Sequence, residues 1–107
     1  MINYDKLLEL MGGDHAFAQK MIDSFKEDLK QNLEEVRKFH LEGNNDLLSN
    51  SAHVLKTQSA YLGVSEMEEK CREIEYGAKS QMSEEELAVL IEDLGKLAEE
   101  LMKEGDF

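Results

Sequence analysis

The sequence predicts an all-α fold, an antiparallel up-down-up-down four-helix bundle preceded by a short additional N-terminal helix. Three observations lead there. The 107 residues contain no proline and are rich in Glu, Leu, Lys and Met, which cost little in a helix interior. Apolar residues recur at steps of three and four over long stretches instead of alternating. The breaks between those stretches are short, about four to six residues, and such connections join helices that run antiparallel.

The first segment is brief. Tyr4, Leu7, Leu8 and Met11 form one apolar face, Asn3 is placed to cap its start, and Gly12 and Gly13 close it. Asp14 caps the next helix, where Phe17, Met21, Phe25, Leu29, Leu33 and Val36 describe one amphipathic face. That helix is expected to run for about 26 residues. The cluster "EGNND" interrupts the pattern, and Asn44 or Asn45 can accept a backbone N–H to open the third long segment.

In that segment Leu48, Ala52, Leu55, Ser59 and Leu62 make a coiled-coil-like seam. Gly63 suits the left-handed position just past its end. Ser65 and Glu68 read as a capping box for a fourth segment lined by Met67, Cys71, Ile74 and Ala78, with Gly77 weakening only its last turn. Ser83 and Glu86 repeat the signature before the last helix, whose inner residues are Leu87, Leu90, Ile91, Leu94, Leu97, Leu101 and Met102. The "SEEE" run is helix-start acid that complements the macrodipole. No repeat, linker or low-complexity stretch divides the chain, so residues 1–107 read as a single domain around one core.

Charge narrows the function. A formal net charge of −12 argues against sequence-independent binding to nucleic acid and against anionic membrane surfaces. No apolar run approaches the roughly 18 residues of a spanning helix. The opening "MINYDKLLELMGGD" lacks the basic and apolar regions of a secretory signal, and the one cysteine, Cys71, cannot form an internal disulfide. A cytoplasmic location and a monomer are the expectations.

The chemistry concentrates in "AHVLKTQSAYLG", residues 52 to 63. With the seam fixed, the helical step of about 100° places His53 and Lys56 beside it, on one face and a turn apart. Ser49, Thr57 and Ala60 share that flank, and their short side chains leave the imidazole unshielded. On the fourth segment Glu75 lies beside the stripe next to Cys71 and Ile74. If the two helices pack antiparallel, its carboxylate can reach one imidazole nitrogen, fix the tautomer and leave the other nitrogen as nucleophile. Lys56 can then stabilise a dianionic group arriving there, because phosphoryl transfer rests chiefly on positioning and charge neutralisation.

"AHVLK", then Gly63 ten positions after the histidine, Cys71 after eighteen and Glu75 after twenty-two, resembles the histidine-containing phosphotransfer (HPt) domain family. The upstream "LLELMGGDHAFAQKMIDSF" is similar to that family's opening. The resemblance implies a four-helix bundle whose His53 takes a phosphoryl group from a receiver-domain aspartate and passes it to another receiver. It implies that Lys56 assists with phosphate charge, that Glu75 holds the imidazole and that Gly63 ends the site helix. Partners would be response-regulator receiver domains, including one carried by a hybrid sensor histidine kinase. Magnesium would belong to the receiver, with no cofactor here. Thr57 departs from the pattern, standing where the family most often has glycine.

Other features read as structural. His15 and His40 fall at the two ends of the second helix, and Cys71 and the methionines read as core filler. The three histidines lie on two helices without metal-ligand spacing, so no metal site is expected. A P-loop, a dinucleotide glycine signature and a nucleophile elbow are all missing, so an autonomous kinase is not expected and phosphate must come from another protein. Two other readings compete: a helical adaptor that binds a receiver or another signalling protein without being phosphorylated, and a purely structural bundle. For a carrier, or an adaptor using the same surface, docking should rest on a local apolar patch around His53, with Ser49, Thr57, Ala60 and Gly63 as the docking surface beside the first two helices, because a receiver's active site is acidic and so is this domain.

Overall fold

A computed structural model of the chain describes residues 2–104. The elements are α1 (Tyr4–Leu10), α2 (His15–Leu41), α3 (Asn45–Leu62), α4 (Ser65–Lys79) and α5 (Glu84–Lys103), with no strand among the described residues. Helices α2 to α5 pack in the order α2–α3–α4–α5, with α5 closing back on α2 and α1 lying against α2 and α3. The most extensive contact is between α3 and α4.

Local chemistry sets the helix starts. The side chains of Asn3, Asp14, Asn44 and Ser83 accept the backbone N–H of Lys6, Phe17, Leu47 and Glu86 respectively. These bonds satisfy donors that have no partner within the helix. Helix α4 differs from expectation: its cap residue is Val64, which has no side-chain bond to offer, and Ser65 is already helical. The reason lies one residue earlier. Gly63 takes φ of 69°, and the Val64 N–H returns to the Ser59 carbonyl, so the α3 stop and the α4 start share one turn and leave no room for a separate capping box.

The core is formed by the predicted stripes of α3 and α4, all buried, together with Leu29, Leu33 and Val36 of α2 and Leu87, Leu94 and Leu101 of α5. Two stripe assignments shift. At the start of α2 the buried residues are Ala18 and Ile22, whereas Phe17 is 50% exposed and Met21 only packs at the margin. Near the end of α5, Ala98 is buried and Met102 is exposed. Size explains both: large apolar residues adjacent to the stripe outscore the small alanines that let helices approach. Gly77 also does more than weaken a turn, because a Cβ there would lie 2.8 Å from Met82 Sδ.

Candidate functional site

Antiparallel packing of α3 on α4 brings His53, Lys56 and Glu75 together. His53 Nδ1 lies 3.0 Å from Glu75 Oε1, and Lys56 Nζ donates to Glu75 Oε2 at 2.7 Å. A carboxylate only accepts, so the hydrogen of the imidazole sits on Nδ1. That leaves Nε2 with its lone pair on a ring that is 58% exposed. The orienting partner is held more firmly than the ring: Glu75 is 13% exposed and Lys56 24%. Burial pushes the Glu75 carboxyl up, but the bonds and charges of Lys56 and then His53 outweigh it and hold the group below its ordinary 4.5. Glu75 therefore stays an anion at neutral pH.

Sequence reasoning missed one residue at this carboxylate. Lys79 Nζ lies 3.4 Å from Glu75 Oε1, the oxygen that faces His53. The signal was available in the Glu75-to-Lys79 spacing of one helical turn, which favours an ion pair with the acid toward the N-terminus.

The flank divides. Thr57 is exposed and its hydroxyl donates to the His53 carbonyl at 3.1 Å, while Ala60 is half-buried. With Tyr61, Thr57 forms a ridge between two shallow depressions, one reaching Lys6 and Leu10, the other Met21 and Ser24. Exposed Leu10, Phe17, Val54 and Tyr61 supply apolar surface on the first three helices. Ser49, expected on the docking surface, is instead 2% exposed. It lies in the buried stripe between Leu48 and Ala52, and its Oγ has no hydrogen-bond partner among the described residues. A small side chain there lets the helices close, so it is not available to a partner. Gly63 stays partly exposed, although the Asn3 N–H donates to the Leu62 carbonyl and Asn3 Cβ occupies the space a Gly63 Cβ would need.

The remaining candidates are bystanders. His15 stacks on Tyr4, and His40 sits in the last turn of α2. Cys71 is fully buried, which pushes its thiol up to about 12 and keeps it protonated. Among the described residues no group of three or more His, Cys, Asp or Glu converges as metal ligands, and no helix is long and apolar enough to cross a membrane.

This geometry agrees with comparisons to known proteins. The family model described as the Hpt domain matches residues 20–102. The chain is also similar to phosphorelay intermediate protein YPD1 of Candida albicans, 27% identical over 77 residues, which is 71% of this chain and 42% of that protein. It thus spans less than half the length of the curated relative it matches. No solved structure gives a significant match. A model covering α3, α4 and nearly all of α2 and α5, laid over a histidine held by a carboxylate on the neighbouring helix, settles the family: the chain belongs to the Hpt domains, whose part in two-component signalling is phosphotransfer.

Proposed function

We propose that His53 is the phosphoacceptor of a phosphorelay intermediate. The observation that carries this reading is the Nδ1–Oε1 distance of 3.0 Å, which commits one nitrogen to Glu75 and leaves Nε2 as an exposed nucleophile. The lone pair of Nε2 forms the N–P bond as the P–O bond of a receiver's aspartyl phosphate breaks. The electron pair of that bond leaves with the aspartate carboxylate. The proton on Nδ1 stays there, so the ring becomes a phosphoimidazolium paired with Glu75. Reversal onto a second receiver restores the neutral ring, and no separate base is needed in either direction.

Lys56 offsets the phosphoryl charge, and Glu75 orients the ring. The sequence carries neither a P-loop nor a dinucleotide glycine signature, which supports a carrier over a kinase, and magnesium is held by the receiver. Partners are receiver domains of response regulators or of a hybrid sensor histidine kinase, meeting a monomer in the cytoplasm. They dock over Thr57 and Ala60 and the apolar surface of Leu10 and Tyr61 beside them. With a net charge of −12 on this side, the encounter gains little from long-range attraction and should be weak and transient.

The test is incubation with phosphorylated receivers encoded in the same genome. Acid-labile, alkali-stable label on the wild-type chain and none on His53→Gln is the expected result. Label that persists in His53→Gln overturns His53 as the acceptor, and label that never appears with any receiver overturns the carrier reading and leaves the non-phosphorylated adaptor in its place.

A further inference from the structure

We propose that the groove between α2 and α5 is a second docking site, which takes an amphipathic helical segment of a partner protein through one apolar side chain and one carboxylate a turn apart. The inference stands apart from the reading of His53, because it concerns the other side of the bundle. Among the four long helices, α2 touches α3 and α5, and α4 touches α3 and α5, with no contact across either diagonal. The groove therefore lies diagonally opposite the α3 and α4 interface that holds His53 and Glu75. A segment bound there leaves the imidazole uncovered.

Arg37 shows why the occupant carries an acid. Its guanidinium rests against the backbone of α5 at Gly95, where an added Cβ would lie 2.5 Å from Arg37 Nη2. Gly95 is buried in the interior of α5, a place where glycine is a poorer helix former than alanine. The helix thus forgoes stability and gains a seat for the guanidinium. Arg72, the other arginine, pairs with Glu68 and Glu69, whereas Arg37 has no hydrogen bond or ion pair among the described residues. In a chain with 24 acidic and 12 basic residues, a planar five-donor group is left facing a groove without a carboxylate to hold.

The rest of the lining sets the pattern. One end is apolar, with Ala88 and Ile91 beside Leu41, which is 84% exposed. Gly95 and Arg37 come one turn of α5 after Ile91. On an incoming helix the same spacing separates side chains four positions apart, so an apolar residue over Leu41 brings an acid at that distance onto Arg37. Glu92 is engaged by Lys96 at 3.7 Å, and Glu99 follows one turn beyond Gly95. These two carboxylates repel an acidic tract, and the groove accordingly suits a single acid placed at Arg37. Its volume of about 440 Å³ is that of a small-ligand site, enough for a few side chains of a larger partner.

The experiment titrates the 15N-labelled full chain with an Ala- and Gln-based helical peptide of about 16 residues that carries one Leu and one Glu four positions apart. A second peptide has Gln in place of that Glu. Amide signals of residues 37–41 and 88–99 should move, while those around His53 stay. Arg37→Gln and the Gln peptide should each weaken binding about five- to tenfold, and the two changes together should cost no more than either alone. Gly95→Ala should weaken binding about threefold by displacing the guanidinium, with helicity by circular dichroism retained, which a merely structural Arg37 would not produce. Equal affinity of wild type and Arg37→Gln overturns the inference, as do shifts centred on His53 or no shift at about 2 mM peptide. Shifts of the groove signals on dilution of the protein alone would make a second copy the occupant and overturn it as well.

Discussion

Replacing Glu75 by Gln isolates what its charge contributes. The amide keeps the size and one acceptor oxygen, so orientation of His53 survives, but the ion pair with Lys56 at 2.7 Å is lost. A hydrogen bond between charged groups contributes about 1.5–3 kcal/mol. The His53 and Lys79 partners are more than half exposed, so solvent reduces their share to a few tenths of a kcal/mol. Lys56 is partly exposed too, which brings the expected loss at pH 7 to about 1–2 kcal/mol and a Tm several degrees lower. The pH dependence has a definite sign. The folded carboxyl is held below 4.5, so between that value and the folded one the unfolded chain binds more protons. The contribution is fully present above 4.5, decreases as pH falls through the folded value and is absent below it. Urea unfolding of wild type and Glu75→Gln from pH 7 down to pH 3 should therefore show two curves that converge in acid. Equal stability at pH 7, or a constant gap down to pH 3, would refute the reasoning.

Three further outcomes follow from the packing. Gly63→Ala should lower stability by about 1–2 kcal/mol, because φ is 69° and the new Cβ would lie 2.5 Å from Asn3 Cβ; thermal melts check it, and an unchanged Tm would contradict it. Gly95→Ala should do the opposite and add about 0.5–1 kcal/mol, since the only close atom is the far end of the Arg37 side chain, which can move, and alanine is the better helix former. A fall in the urea midpoint of this variant would show that Arg37 cannot give way. Cys71, fully buried with its thiol pushed up to about 12, should not react with an aromatic disulfide reagent at pH 8 until the protein is unfolded in urea.

The parts of the fold legible in the sequence were those governed by neighbours along the chain. Asn3, Asp14, Asn44 and Ser83 cap as their spacing implied, because a cap bond spans only three residues. Every α3 residue assigned to the seam is buried, because its large and small members alternate regularly. Failures arose where tertiary packing chose between adjacent residues. Ala18 displaced Phe17 from the core, Ala98 displaced Met102, and Ser49 went inward, in each case because close helix approach favours a small side chain. The same limit applied at the site. His53, Lys56 and Glu75 could be placed on facing flanks from periodicity alone, but the division of Glu75's two oxygens among three cationic or hydrogen-donating partners depends on side-chain paths that no spacing rule specifies.

Rigid helices suit a carrier better than loops would. The His53 ring is 58% exposed, and the depressions that reach the neighbouring Thr57 are shared between helices. Exclusion of water and stabilisation of the transferring phosphoryl must then come from whatever docks, which is consistent with a site that provides only a nucleophile, a fixed tautomer and balancing charge. Such a division makes rate depend on how closely the partner approaches. Thr57 is the residue placed to limit that approach under the proposed reading, since it lies one turn beyond His53 with its hydroxyl donating to the His53 carbonyl at 3.1 Å. If His53 is the acceptor proposed above, a receiver would have to accommodate the ridge of Thr57 and Tyr61 to bring its aspartate in line with Nε2, and selectivity among receivers is then expected to reside in that ridge, separate from the charge balance around Glu75.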